Sequence, residues 1–418
     1  MPNQRLRRRV LALFAFLIAI VAPVATAQAA QTDTYIDLPQ HKYPAFYVPP
    51  SPLPPGQPGE IIRWREMGFN KSLTKPPQGT KGYLVMYHSR SALGQDIAVV
   101  GYVLVPVAYN LPPGMTQRPI IGYGNEAMGL GDNCAQSAVL QYGNSGEVAL
   151  YTLMLKKGYA IAATDYEGLG TPQVHTFGVT MSAAHTTLDM IRAARNLEAA
   201  QLPKNGPVGL LGYSQGGGAV TGAEEQQPTY APDVKLTAVA AGGAPTNPLM
   251  FAKWNDGKIF SAVELAASMG YDAAYPELDL YNGFMNDRGK IAYQHGLNGC
   301  IEMVFSLPNR KIADYLQPGK NPLTDPRWLA RFKENTIGLL PPKIPTYYFH
   351  GMFDQAVPYK GALELRKRWC AGGTPLHFQT IIDEHVSAAP LWMPNAEKWL
   401  DARMRGRPDK GNCGKLVA

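Results

Sequence analysis

Two stretches near the start of the chain alternate apolar and polar residues, and short unbroken apolar runs follow them. The alternating stretches are 81–88 and 97–106, and only a short segment containing Gly94 separates them. This pattern predicts two antiparallel strands at the edge of a sheet. Further strands, several of them short apolar runs of the kind found in buried parallel sheets, are predicted at 119–124, 159–165, 208–212, 236–242, 344–351 and 376–382.

Helical stretches lie between these strands and after the last one. They are predicted at 147–157, 183–200, 359–370 and 391–405. Strands that alternate with helices indicate a mostly parallel sheet covered by helices on both faces, so the predicted fold class is α/β.

The alternation stops between residues 244 and 340. This segment is rich in aromatic residues and methionine and contains Pro and Gly breaks, which predicts a run of helices. Its aromatic and methionine side chains include Met250, Phe251, Trp254, Phe260, Met269, Tyr271, Tyr275, Tyr281, Phe284 and Met285. Most of them are expected to form ordinary core. We therefore divide the sheet domain into residues 59–243 and 341–418, with a helical insertion at 244–340.

The N-terminus has the pattern of an export signal. Arg5 and the run Arg7–Arg9 precede an apolar run over 10–22, and small residues follow up to Ala29. This arrangement predicts a signal peptide over 1–29, cleaved near Ala27 or Ala29, and a secreted protein. The arginines also offer a weaker twin-arginine alternative. Residues 30–58 are polar and then rich in proline, so we expect this segment to run extended across the surface.

Charge and hydropathy argue against a nucleic-acid-binding protein and against a transmembrane protein. Removing residues 1–29 removes four arginines and no acidic residue, which lowers the formal net charge from +7 to +3. The remainder has no cluster of basic residues interleaved with aromatics, so nucleic-acid binding is not indicated. No later segment approaches the length of about 18 apolar residues that a transmembrane helix needs.

The chain has four cysteines, Cys134, Cys300, Cys370 and Cys413. An even number in an exported protein predicts two disulfides, for which three connectivities exist. We favour Cys134–Cys300 and Cys370–Cys413. Because no cysteine or histidine pair has the spacing of a zinc site, we expect neither a metal nor another cofactor.

The pentapeptide 212–216, Gly-Tyr-Ser-Gln-Gly, has the form G-x-S-x-G. It follows the predicted strand 208–212 and precedes a run of small residues typical of a closely packed helix. A serine on such a sharp strand-to-helix turn is held above the sheet edge, where it can act as a nucleophile. We therefore predict that Ser214 is catalytic.

A serine nucleophile needs a base and an acid that orients the base. Asp354 follows a later strand, and His385 follows the last strand, so both side chains are expected at the sheet edge that carries Ser214. We predict His385 as general base and then acid, and Asp354 as the group that orients it. Five histidines well before Asp354 have the wrong chain order for this arrangement and are expected to be structural or at the surface: His41, His88, His175, His185 and His295. His350 lies too close to Asp354 in sequence to be aimed independently at Ser214, and His377, inside the last strand, is expected to be packed or exposed.

Cleavage of an ester passes through an oxyanion that backbone N–H groups stabilise. One donor is expected at Gln215, directly after the nucleophile. The other is expected at Ala127 or Met128, in the loop after strand 119–124.

The long separation between Ser214 and Asp354 exceeds what the intervening strands need, which favours the insertion 244–340 as a cap whose inner face binds an apolar acyl chain. The predicted function is hydrolysis of acyl or lipid esters by a secreted serine enzyme, with transient contact to a lipid interface. Two alternatives remain open: an acyltransferase that uses the same acyl-enzyme, and a catalytically silent protein that binds apolar ligands.

These motifs together resemble the secreted lipase family of bacteria and yeasts. The similarity covers nearly the whole mature chain and is carried by residues 59–63, 131–135, 165–171, 212–216, 242–245, 350–354 and 384–385. It implies an α/β-hydrolase fold with a helical cap, carboxylic-ester hydrolysis, two disulfides and the same three catalytic residues. The chain departs from bacterial relatives at 125–127, where they often carry His-Gly-Thr, and at Gln136, where they carry proline.

Overall fold

Nine strands form one sheet in the computed structural model, which describes residues 44–302 and 307–415. The strands are β1 (Ile61–Met67), β2 (Thr80–Arg90), β3 (Asp96–Pro106), β4 (Ile120–Gly124), β5 (Ala160–Thr164), β6 (Val208–Tyr213), β7 (Leu236–Gly242), β8 (Thr346–Gly351) and β9 (Leu376–Ile381). Their order across the sheet is β1-β2-β3-β5-β4-β6-β7-β8-β9. The pairs among β1, β2, β3 and β5 are antiparallel, and all pairs from β5 to β9 are parallel.

Ten α-helices accompany the sheet in the described part of the chain. They are α1 (Gln136–Tyr142), α2 (Glu147–Lys156), α3 (Thr180–Asn196), α4 (Gln215–Tyr230), α5 (Pro248–Asn255), α6 (Ser261–Ala274), α7 (Asp287–Gly296), α8 (Pro326–Glu334), α9 (Tyr359–Ala371) and α10 (His385–Met404). The predicted mostly parallel sheet with helices on both faces is therefore confirmed.

Alternation along the strands divides the core into two layers. In β2, Tyr83, Val85 and Tyr87 face one cluster, whereas Leu84 and Met86 face the other. Helices α3, α4 and α9 pack against the first face, and α2 and α10 pack against the second. This arrangement follows from the pleat, which sends successive side chains to opposite faces of a sheet.

Helices α5 to α8 lie between β7 and β8 and have a hydrophobic cluster of their own. Buried aromatic side chains such as Tyr271, Tyr275, Phe284 and Trp328 form much of it. Leu130 and Phe177, from the loops after β4 and β5, also belong to this cluster. The helical segment thus packs against loops at the carboxyl end of the parallel strands.

Three elements differ most from the sequence-based expectations. Strand β1 and helix α1 were not predicted. Helix α10 begins at His385 instead of residue 391, because the Glu384 side chain accepts hydrogen bonds from the N–H groups of Val386 and Ser387 and caps the helix earlier. Pro390 lies inside this helix. The predicted signal peptide and residues 30–43 lie outside the described residues.

Residues 44–60, at the end of the proline-rich segment, contain only a short 3-10 turn at Ala45–Tyr47. The structure contains the disulfides Cys134–Cys300 and Cys370–Cys413. Across 44–302 and 307–415, no helix combines the length and the apolar composition that crossing a bilayer requires.

Candidate active site

Ser214 lies between β6 and α4 in a backbone conformation that is unusual for a residue with a side chain. Its φ is 55° and its ψ is −123°. Close packing enforces this turn: a Cβ atom at Gly216 would lie 2.0 Å from the carbonyl oxygen of Gly124, and one at Gly212 would lie 2.4 Å from the carbonyl oxygen of Gly216. The two glycines of the G-x-S-x-G motif therefore allow β4, β6 and α4 to meet beneath the serine.

The structure brings the three predicted catalytic residues together. Oγ of Ser214 lies 2.8 Å from Nε2 of His385, and Nδ1 of His385 lies 2.6 Å from Oδ2 of Asp354. His385 and Asp354 are buried, whereas Ser214 is half-buried. Each residue comes from the carboxyl end of a different strand, β6, β8 or β9, which explains how residues so distant in sequence converge.

The environment of Asp354 favours its ionised form. Burial alone would raise its pKa, but His385 and His350 outweigh burial and hold the pKa of Asp354 below its ordinary value. Its Oδ1 atom accepts hydrogen bonds from the N–H groups of Ala356 and Val357, at 2.9 and 2.6 Å. Asp354 is therefore a fixed anion that can orient the imidazole of His385.

Three neighbouring side chains hold His385 in place. The backbone N–H of His385 donates to the side-chain oxygen of Gln355, and the side-chain amide of Gln355 donates to the carboxylate of Glu384. The hydroxyl of Tyr213, next to the nucleophile, donates to the carbonyl oxygen of His385 at 2.8 Å. The loops after β8 and β9 are thus joined beside the imidazole. A sequence pattern gives no signal for Gln355, because its role depends on contacts across two loops.

His350 is a second histidine beside Asp354. It is fully buried, and its Nε2 atom lies 3.2 Å from Oδ2 of Asp354 and 3.0 Å from the carbonyl oxygen of Val357. His350 does not reach Ser214 in any hydrogen bond of the described structure. It therefore supports Asp354 and does not compete with His385.

Two of the three predicted oxyanion residues, Gln215 and Met128, lie at the start of α4 or beside it. The N–H of Gln215 occupies the first turn of that helix, where a backbone donor has no partner within the helix. Met128 and Gln215 line one small cavity together with Glu126 and His175. Ala127 packs against the hydrophobic cluster of helices α5 to α8. The N–H of the preceding Glu126 is occupied, because it donates to Glu147 at 2.8 Å.

The acidic residues beside the site have other partners. Asp383 accepts hydrogen bonds from the N–H of Glu384 and the hydroxyl of Ser387. Asp165, after β5, accepts hydrogen bonds from the N–H and the hydroxyl of Ser137. Asp383 thus joins Glu384 in the turn at the start of α10, and Asp165 binds the second residue of α1.

Comparison with known proteins gives the family. The sequence profile of the secretory lipase family matches residues 137–412. This chain belongs to the secretory lipase family. Relatives of this lipase include secreted triacylglycerol lipases of Malassezia furfur (29% identical, covering 80% of this chain and 69% of the relative) and Malassezia globosa (29% identical, covering 89% and 80%). The lipase is accordingly a carboxylic-ester hydrolase of the lipase and esterase class.

Solved structures support the fold of this secretory lipase. Lipase A of Candida antarctica superposes with a TM-score of 0.79 at 21% identity, covering 89% of this chain and 88% of that one. A rice cell wall degrading esterase of Xanthomonas oryzae gives a TM-score of 0.64 at 19% identity, covering 84% and 97%. These similarities confirm the predicted α/β-hydrolase fold.

Proposed function

We propose that this lipase cleaves acyl esters through an acyl-enzyme on Ser214, with His385 as base and acid and Asp354 as the orienting anion. The observation that carries the proposal is the continuous chain of hydrogen bonds from Ser214 through His385 to Asp354. Such a chain supplies what a serine hydroxyl lacks at neutral pH, namely a base within reach and a fixed imidazole tautomer.

The proposed reaction has two halves. In the first, Oγ of Ser214 attacks the ester carbonyl carbon while Nε2 of His385 takes the hydroxyl proton. The tetrahedral oxyanion then collapses, and His385 donates the proton to the departing alcohol. In the second half, His385 takes a proton from water, the hydroxide attacks the acyl carbon, and the carboxylic acid leaves as Oγ regains its proton.

Backbone N–H groups are proposed to stabilise both oxyanions. The N–H of Gln215 is one donor, and the N–H of Ala127 or Met128 is the other. A single donor of this kind contributes about 3–4 kcal/mol to the transition state. The close contact between Gly124 and Gly216 supports this assignment, because it places the loop after β4 against the first turn of α4.

We further propose that residues 244–340 form a cap on a core built from residues 59–243 and 341–418. Two side chains of α5 support this division: Trp254 donates to the carbonyl oxygen of Gln355 at 3.0 Å, and Asn255 donates to that of Ala356 at 2.9 Å. Both contacts lie directly beside Asp354. The disulfide Cys134–Cys300 joins the same helical segment to the loop after β4. The inner face of this cap is proposed to bind the apolar acyl chain.

A patch of exposed apolar side chains beside the triad is proposed to contact the lipid interface. Its members flank Asp354 and His385 in the sequence: Met352 (41% exposed), Phe353 (63%), Ile382 (82%), Val386 (44%) and Leu391 (63%). Met352, Phe353 and Ile382 lie in the loops after β8 and β9, and Val386 and Leu391 lie at the start of α10. The two loops are joined where Phe353 donates its N–H to the carbonyl oxygen of Asp383. A lipid substrate arriving at this patch would lie next to the nucleophile.

Vesicle binding tests the patch. The double variant Phe353→Ser, Ile382→Ser is expected to bind phosphatidylcholine vesicles at least about tenfold more weakly, because burial of each side chain contributes about 1.5–3 kcal/mol. Leu73→Ser is the matched control, since Leu73 is also 82% exposed and follows β1 at the opposite edge of the sheet. Equal vesicle binding by the parent, the double variant and Leu73→Ser would contradict the proposed role of the patch.

Export is proposed through the signal peptide at residues 1–29. The two disulfides support an oxidising destination, and the Malassezia relatives are named as secreted. N-terminal sequencing of the protein from the culture medium is expected to begin near residue 28 or 30.

Loss of the nucleophile tests the proposed function. Ser214→Ala is expected to lower kcat on p-nitrophenyl butyrate by about 10³-fold or more while the melting temperature shows a folded protein. Ser72→Ala, at a buried serine before β2, serves as the control and is expected to retain activity. Full activity of Ser214→Ala would refute the mechanism.

One relative motivates a test of catalytic silence. A Mycobacterium tuberculosis protein that is 27% identical, covering 87% of this chain and 82% of that protein, carries the name probable inactive lipase. Covalent labelling of Ser214 by a fluorophosphonate would argue against silence in this chain. If labelling occurs, product analysis with added alcohols separates hydrolysis from acyl transfer.

A further inference from the structure

Glu147 is a buried carboxylate beneath the loop that follows β4. It is the first residue of α2 and is only 3% exposed. Its Oε1 atom accepts the backbone N–H of Glu126 at 2.8 Å, and its Oε2 atom accepts the hydroxyl of Tyr123 at 2.5 Å. The carboxylate therefore joins α2 to the end of β4 through both of its oxygens.

Asn125, which precedes Glu126, is held by hydrogen bonds to residues of β3 and β5. Its side-chain oxygen accepts the hydroxyl of Tyr102 at 3.0 Å, and its amide donates to the carbonyl oxygen of Thr164 at 2.8 Å. Its own carbonyl oxygen accepts the hydroxyl of Tyr166 at 2.8 Å. Residues 125 and 126 are thus held by side chains from β3, α2 and the segment after β5.

This fixed backbone lies directly against the nucleophile turn. A Cβ atom at Gly124 would come within 2.5 Å of the carbonyl oxygen of Gly216, so the two main chains touch. The residues immediately after Glu126 are Ala127 and Met128. A displacement of Glu126 therefore moves the proposed oxyanion donor relative to Ser214.

We propose that Glu147 is a positioning residue for ester hydrolysis: by holding the N–H of Glu126 it fixes the N–H of Ala127 or Met128 at the oxyanion. The inference rests on the proposed function of Ser214. Glu147 itself touches neither substrate nor nucleophile. Its effect is expected in kcat more than in KM, because an oxyanion donor interacts with the charge that develops only in the transition state.

Three substitutions at this position separate positioning from simple structural support. Glu147→Ala removes both acceptors and is expected to lower kcat by about 10- to 100-fold with KM within threefold of the parent. Glu147→Gln keeps an oxygen for Glu126 and is expected to restore kcat to within about threefold. Glu147→Asp is too short to reach both partners and is expected to lower kcat about tenfold, which keeps the test informative if the alanine variant does not fold.

Glu397 offers a matched control. It is also a buried carboxylate, 2% exposed, that accepts a backbone N–H, in this case from Met154 at 3.3 Å. Glu397→Ala is expected to lower the melting temperature without changing kcat. All kcat values are normalised to active sites titrated with a fluorophosphonate, so a loss of folded protein does not count as a loss of catalysis.

The outcomes distinguish the two proposals. If Glu147→Ala and Glu147→Asp keep kcat within threefold of the parent while Ser214→Ala is inactive, the role of Glu147 is wrong and the nucleophile stands. If Ser214→Ala retains activity, the proposed function itself fails. A drop in kcat at Glu147 that glutamine restores, with no change at Glu397, supports the positioning role.

Discussion

The Nε2 atom of His350 lies 3.2 Å from Oδ2 of Asp354, the same oxygen that accepts the hydrogen bond from Nδ1 of His385. Asp354 therefore contacts a second histidine in addition to the predicted base. A buried anion needs several partners to remain ionised, and this contact supplies one of them together with the N–H groups of Ala356 and Val357.

Removing this histidine is expected to weaken the triad without abolishing it. His350→Leu should lower kcat about tenfold with little change in KM, because the loss of one hydrogen bond to a charged group costs roughly 1.5 kcal/mol or more. His377→Leu is the control, since His377 lies on β9 at the surface and pairs with Asp409. Steady-state kinetics with p-nitrophenyl butyrate provide the measurement. Unchanged kcat in His350→Leu would show that Asp354 needs no second histidine.

The backbone of Ser214 provides a stability prediction. Its φ of 55° costs a residue with a side chain about 1–3 kcal/mol, whereas glycine adopts such angles readily. Ser214→Gly is therefore expected to be more stable than Ser214→Ala by about 1 kcal/mol or more, although both should be inactive. Denaturant unfolding of the two variants gives the comparison, and a glycine variant of lower stability would contradict the strain argument.

The two disulfides are expected to differ in their effect on catalysis. Cys134–Cys300 ends the loop that contains Ala127 and Met128, and its sequence separation is 166, whereas that of Cys370–Cys413 is 43. Loop-closure entropy gives about 5 kcal/mol for the first and about 4 kcal/mol for the second. Replacing either pair with alanine should lower the melting temperature.

Only the first replacement is expected to reduce kcat. Gly129 pairs with Cys300 in an isolated β-bridge, and the N–H groups of Leu130 and Gly131 donate to the carbonyl oxygen of Gly299. The disulfide Cys134–Cys300 therefore holds the loop after β4 where these contacts form. The pair Cys370→Ala, Cys413→Ala serves as the matched control. Equal kcat values for both double variants at a temperature where each is folded would argue against this link.

Buried carboxylates predict how stability depends on pH. Burial is the main cause that raises the pKa of Glu147, Asp165 and Glu225 to about 7 and that of Glu264 and Glu397 to about 8. The folded state therefore holds these protons more tightly than the unfolded state, whose carboxyl pKa values are near 4. The stability they contribute is complete below about pH 4 and is lost as pH rises through 7 to 8.

The melting temperature is accordingly expected to fall between pH 6 and pH 9. Glu397→Gln removes one ionising group and should make this fall shallower, with the largest difference from the parent above pH 8. Differential scanning calorimetry at fixed ionic strength provides the measurement. A melting temperature that rises over this range would show that these groups do not govern stability.

Much of the fold was predictable because the pleat and the helix period are local signals. The strand at 208–212 and the helix after Ser214 could be predicted from neighbouring residues alone. The positions of Asp354 and His385 could be predicted because each follows a predicted strand. The structure places all three together.

What the sequence did not reveal depends on contacts between distant elements. Glu147 meets Glu126 only because α2 packs behind β4, and Gln355 meets His385 only because β8 and β9 are neighbours. The early start of α10 depends on the Glu384 side chain, which caps the helix before Pro390. Side-chain hydrogen bonds across the fold have no period that a sequence pattern can show.

Trapping the acyl-enzyme tests the central claim most directly. The protein is mixed with p-nitrophenyl butyrate, quenched in acid within the first turnover and digested for peptide mass spectrometry, with Ser214→Ala treated in the same way. The proposed mechanism predicts one butyryl group on the peptide that contains Ser214 and none on that peptide in the alanine variant. A butyryl group on another residue, or turnover that persists in Ser214→Ala, would contradict it.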